Sequence, residues 1–143
     1  MTADRRRAAQ RLAQGDVTCA LCRGEELLTD TRRGVAPLLA LLDSGRDLTG
    51  YAAADKVVGK AAAFLYVRLG VTHVYAPVMS EPARAVLTAH GIEAAWDTCP
   101  PAIRNRAGDG YCPMERAVWD LTDPAEAEKV VRWTLAALTA AKG

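Results

Sequence analysis

The chain has 143 residues, half of them hydrophobic and 24% charged, with a formal net charge of +1. That is one domain's worth of sequence with material for a core, and its charge balance excludes a strongly basic nucleic-acid binder. No stretch suits a secretory leader or a membrane span, so a cytoplasmic protein is expected, with no membrane partner and its four cysteines reduced.

Residues 1–14 read as an N-terminal helix whose arginines, Arg5, Arg6, Arg7 and Arg11, form a solvated face. Val17–Arg23 and Glu26–Thr31 read as two strands of an antiparallel hairpin turning at Gly24. Cys19 and Cys22 make a C-x-x-C on the first strand. Residues three apart on a strand point to opposite faces, so the pair suits neither a disulfide nor half a zinc site. A short leucine-rich helix follows Gly34, with Pro37 in its first turn.

Tyr51–Gly70 is the longest helical pattern, with Val57, Val58, Ala61, Ala62, Leu65 and Leu69 at helical spacing. It is expected as one continuous helix with Gly59 inside it. Thr72–Val78 and Ile92–Trp96 read as parallel strands joined by a helix that Ser80 caps. Residues 97–111 are irregular, broken by Pro100, Pro101, Gly108 and Gly110. Cys112-Pro113 then starts a helix with Glu115 at its third position, and residues 123–141 form a last helix capped by Asp123.

Several residues carry candidate chemistry. Lys56 and Lys60, four apart on a helix, share a face and either gather an anion at the helix start or reach into solvent. Asp55 is either a helix-end carboxylate or a proton-handling group. Gly59 permits close backbone approach. Ser80 is a helix cap or a donor to a ligand at the strand end, with Glu81 beside it. Arg104, Asn105 and Arg106 either clamp a carboxylate or phosphate, or tie down their own loop. Cys112 at a helix start is a nucleophile, a redox-sensitive thiol or an unreactive cap.

The motifs D-K-V-V-G-K-A-A-A (55–63), S-E-P-A (80–83), I-R-N-R (103–106) and G-D-G-Y-C-P-M-E (108–115) resemble those of a prokaryotic domain-of-unknown-function family with the cytidine-deaminase-like fold. The resemblance implies an α/β fold: a three-layer α-β-α sandwich, its mixed sheet opened by an N-terminal antiparallel hairpin, over residues 1–143. True deaminases carry H-x-E or C-x-E at the start of the central helix and P-C-x-x-C at the next strand-to-helix turn. Here those places read A-A-A-D-K and M-S-E-P-A, so no metal ligands and no cofactor are expected.

The leading expectation is a zinc-independent protein of this fold binding a small anionic or nucleotide-like molecule, as a sensor or binding module. Behind it stands an enzyme acting on such a metabolite through Asp55, Lys56 or Cys112, with Gly59, Lys60, Ser80, Glu81, Arg104, Asn105 and Arg106 as ligand contacts. A zinc-dependent base deaminase is third. Self-association is left open.

Overall fold

The hairpin, the parallel unit and the capped helices fix the order in which the chain is laid down. A computed structural model describes residues 3–105, 107, 108 and 110–142. Helix α1 (Ala3–Ala13) leads into strands β1 (Cys19–Arg23) and β2 (Glu26–Asp30), then α2 (Ala36–Asp43). Strands β3 (Ala52–Asp55) and β4 (Val57–Val58) precede α3 (Lys60–Leu69), β5 (His73–Met79), α4 (Glu81–Ala89) and β6 (Glu93–Thr98). Helices α5 (Pro113–Ala117) and α6 (Pro124–Lys142) close the described chain. None of these helices is long and apolar enough to cross a membrane.

The six strands form one mixed sheet. β1 pairs antiparallel with β2 on one side, Arg23 opposite Glu26, and with β3 on the other, Cys19 opposite Asp55. β3, β5 and β6 run parallel, with Ala52 opposite His73 and His73 opposite Glu93. β4 keeps the register of β3 against β5, Val57 standing opposite Val78. It therefore prolongs β3 along the same flank of β5, and β6 takes the other flank.

The expected single helix over Tyr51–Gly70 is the main correction. Its first half is strand: Ala52, Ala53, Ala54 and Asp55 are all buried in the sheet. Alanine favours helix in isolation, but propensity is a weak prior. Between β1 and β5 its small side chain lets helices close on both faces. The helix begins only after Gly59, which is its N-cap in extended conformation (φ −93°, ψ 179°) rather than a residue within it. Gly70 ends α3 with φ 83°, the left-handed geometry that glycine adopts without cost.

α1 packs on one face of the sheet against β1, β3 and β5. There Ala8, Leu12, Val17, Cys22 and Ala54 make a small core. The other face carries α3, in contact with α2, α4 and α6. Phe64, Leu65 and Tyr66 of α3 are fully buried in the main core with Leu21, Ala53, Val74 and Ala76. Each such side chain contributes roughly 1.5–3 kcal/mol by leaving water. Cys19 belongs to the main core and Cys22 to the small one, and both thiols are free. Three of the four arginines expected on a solvated face are tied to the fold: Arg7 donates to the carbonyl of Gly24, Arg11 pairs with Asp16 at 2.6 Å, and Arg5 is buried near Glu93, while Arg6 is exposed.

Candidate functional site

Parallel strands leave a crevice at their carboxyl ends, where the sheet stops and the following helix begins. Here that crevice is a cavity of about 460 Å³ at the end of β3 and the start of α3. Thr18 borders it from the start of β1, and Arg33, Gly34 and Val35 from the approach to α2. Asp55, Lys56, Val57, Gly59, Ala61 and Ala62 come from the β3–β4–α3 passage, and Ile103, Cys112, Met114, Glu115 and Leu135 from the C-terminal third. The volume is in the range of small-molecule sites, and the walls are mainly aliphatic.

Asp55 ends β3 and is only 8% exposed. Its Oδ2 accepts a hydrogen bond of 2.8 Å from the Tyr66 hydroxyl, itself fully buried on α3. Burial pushes the Asp55 carboxyl up to about 7, against the opposing pull of the Tyr66 hydroxyl and two backbone amides. The same surroundings raise the Tyr66 hydroxyl well above its ordinary value. They also push the neighbouring Cys19 thiol up to about 12, by burial first and then by the Asp55 charge. Asp55 is thus a strand-end carboxyl rather than the helix-start group expected from its sequence context. It can hold or release a proton near neutral pH.

Glu115 was expected to cap its own helix. Cys112 does sit at the N-cap of α5 with Pro113 following it, but no side-chain cap bond forms there. The Cys112 amide instead donates to the carbonyl of Ile103 at 2.8 Å. The Glu115 carboxylate, 2% exposed, turns inward and accepts from the Lys60 amide (3.0 Å), the Ile103 amide (2.5 Å) and the Ser80 hydroxyl. It is the cap that Gly59, having no side chain, cannot supply to α3. A methyl group on Gly59 would meet Ile103 Cγ1 at 3.3 Å and Glu115 Oε1 at 3.5 Å, so the glycine makes room for that carboxylate.

The structure separates the two lysines. With β3 and β4 as strands they do not share a helix face. Lys56 is exposed and borders two cavities, the main one and a second lined by Ala9, Leu12, Ala13, Tyr75 and Pro77. By the alternation of the strand, its side chain belongs with Ala54 on the α1 face. Lys60 is the first residue of α3, and its Nζ donates to the carbonyl of Trp119 at 2.5 Å. It does not border the main cavity.

Ser80 caps α4, accepting from the Ala83 amide at 3.2 Å while its hydroxyl donates to Glu115. Glu81 is exposed, paired with Arg84 at 3.0 Å, and accepts from the Cys99 thiol. Arg104 lies over the Tyr111 ring at 4.9 Å, and the Asn105 amide donates to Gly110 at 2.9 Å, so both organise their own turn. Arg106 lies outside the described residues. Of the candidates, Asp55, Lys56, Gly59 and Cys112 border the cavity, whereas Lys60, Ser80, Glu81, Arg104 and Asn105 do not.

Sequence reading missed Arg33 and the inward role of Glu115. The segment carrying Arg33 is held by Thr18, whose hydroxyl engages the carbonyls of Asp30 (3.0 Å) and Arg32 (2.6 Å). Nothing local in the sequence announces that. Among the described residues no group of three or more His, Cys, Asp or Glu side chains is arranged to hold a metal ion.

The sequence profile of a family described as a domain of unknown function (DUF1893) matches residues 7–135. Among solved structures, a DUF1893 family protein (TM1506) from Thermotoga maritima is similar to this chain at 26% identity and a TM-score of 0.81. The alignment covers 95% of this chain and 91% of that one. No curated protein matches the sequence.

Proposed function

The chain belongs to the DUF1893 family, and from that premise we propose that it binds a small anionic or nucleotide-like molecule in the cavity at the end of β3. The observation that carries this reading is the meeting, in one cavity of about 460 Å³, of Asp55, Gly59, Cys112 and Arg33 with aliphatic walls. The first-turn amides of Ala61 and Ala62 have no intrahelical partners and add a partial positive charge at the same end. The fold is read as cytidine-deaminase-like, with that fold's usual ligand position kept and different side chains lining it. The protein acts in the cytoplasm as a sensor or binding module.

A second reading, an enzyme acting on the same class of molecule, is favoured by Asp55. A buried carboxyl pushed up to about 7 is suited to taking and returning a proton. In that case Cys112, at the cavity wall, is the nucleophile to test, and Lys56 is the remaining candidate. A zinc-dependent deaminase ranks third, because the turn that carries cysteine ligands in such enzymes holds Ser80 and Ala83, which here cap α4.

Mass spectrometry of the purified protein under native conditions tests the binding reading directly. A small anionic or nucleotide-like mass released on denaturation is expected. A bare protein whose melting no nucleotide or anionic metabolite shifts would overturn it. Alkylation of Cys112 at the rate of a free thiol would remove the nucleophile from the enzyme reading.

A further inference from the structure

The polar groups around the cavity divide into those already committed and those still open. Glu115 is committed, since three donors engage its carboxylate. Thr18 is committed to two carbonyls. Arg32 is committed, its guanidinium and amide both held by Asp30, with Nη2 to Oδ2 at 2.6 Å. Its neighbour Arg33 borders the cavity, is exposed, and makes no ion pair among the described residues. Asp55 is buried and borders the same cavity; its side-chain partner is the neutral Tyr66 hydroxyl, the backbone amides of Val57 and Lys56 pull the same way, and no cation pairs with it among the described residues. The surface between these two groups is mainly aliphatic, including Val35, Ala62 and Met114.

Such a site has polarity along its length. A buried carboxyl without a cation suits a group that offers N–H donors, because those satisfy its oxygens without importing a second anion. An exposed guanidinium suits a planar or tetrahedral oxyanion, which it meets with two donors at once. Aliphatic walls suit a flat, weakly polar body between them. Resting on the binding reading above, we infer that the ligand has two unlike ends: an amino-bearing heterocycle held inside by Asp55, and a phosphate held at the rim by Arg33, as in a nucleoside monophosphate.

The test is calorimetry with adenosine, cytidine and guanosine, their 5′-monophosphates, and inorganic phosphate. At least one monophosphate is expected to bind roughly tenfold or more tightly than its nucleoside, the scale of one charge-assisted contact. Arg33→Ala should collapse that ratio to about twofold or less, while Arg6→Ala, at an exposed position of α1 that does not border the cavity, leaves it in place. Asp55→Asn should weaken nucleoside and monophosphate together and preserve their ratio. Both arginine variants are at exposed positions and leave the fold intact, and the melting temperature of each verifies this. A ratio that survives Arg33→Ala, or inorganic phosphate binding as tightly as the monophosphate, overturns the two-ended ligand. Nucleosides binding with no preference for phosphate overturn it too, while leaving the cavity as a binding site. Binding by none of these probes overturns this inference, and the broader reading then falls or stands on the mass spectrometry alone.

Discussion

Two carboxyl groups border the same cavity and are held in contrary ways. Glu115 receives two backbone amides and a hydroxyl, and thereby joins the start of α3, the cap of α4 and the strap at Ile103. Asp55 receives the Tyr66 hydroxyl, the backbone amides of Val57 and Lys56 pull the same way, and burial still pushes it up to about 7. One carboxylate is saturated and serves architecture. The other ties only the end of its own strand to α3, and its proton is available near neutrality. Burial alone does not separate them, since both are less than a tenth exposed. The elements each one joins do: Glu115 reaches residues 12 to 55 positions away in three segments, and Asp55 joins its own strand end to α3.

The largest effect that sharpens this contrast is expected from Glu115→Ala. It leaves the Lys60 amide, the Ile103 amide and the Ser80 hydroxyl without their acceptor, at about 1–3 kcal/mol for each buried group left unpaired. A loss of about 3 kcal/mol or more in urea unfolding is expected, with Glu115→Gln intermediate. A loss under about 1 kcal/mol would show that the carboxylate is not the tie described here.

Asp55→Asn should act with the opposite sign. The folded carboxyl keeps its proton up to about 7, whereas the unfolded one releases it near 3.8. Between those values the folded state binds more protons, so stability falls as pH rises from about 4 to about 7 and then levels off. Asparagine removes that slope and still accepts from Tyr66. Its melting temperature should exceed that of the parent at pH 8 by several degrees and match it at pH 4. A parent whose stability rises across this window would refute the elevated carboxyl.

Gly59→Ala is a smaller probe. The backbone at φ −93° is open to alanine, but the added methyl crowds Ile103 and Glu115. A loss of about 1 kcal/mol or less is expected, and it should vanish when combined with Glu115→Ala. Cys112→Ser touches neither carboxyl. Serine is a better N-cap than cysteine, so a gain of a few tenths of a kcal/mol is expected in the same unfolding assay.

The N-terminal hairpin, the parallel β5–α4–β6 unit and the Ser80 cap were legible because each is written in a short stretch of sequence. The turn at Gly24, the short strands on either side of it and the serine before Glu81-Pro82 are local signals. The passage from Tyr51 to Gly70 was misread for the same reason. Its alanines have high helix propensity, and only the flanking strands and the helices on both faces make them a central strand. Asp55, Lys56 and Cys112 were singled out from motifs, and the fold brings all three to the cavity border. Lys60 was singled out by helical spacing from Lys56, and that spacing disappears once β4 separates them. Glu115 looked like a cap for its own helix because sequence distance hides a partner 55 residues away.

That distance also has a temporal meaning. On the ribosome the chain emerges from its N-terminus, and every strand of the sheet is available once Thr98 is out. The first turn of α3 and the cap of α4 still lack their acceptor then, because Glu115 has not yet left the exit tunnel. The sheet can thus assemble before the cavity is closed. A chain that ends ahead of Met114 lacks the acceptor for the Lys60 amide and the Ser80 hydroxyl. Completion of the cavity is tied to translation of the last third, because Cys112, Met114, Glu115 and Leu135 of its border all lie there.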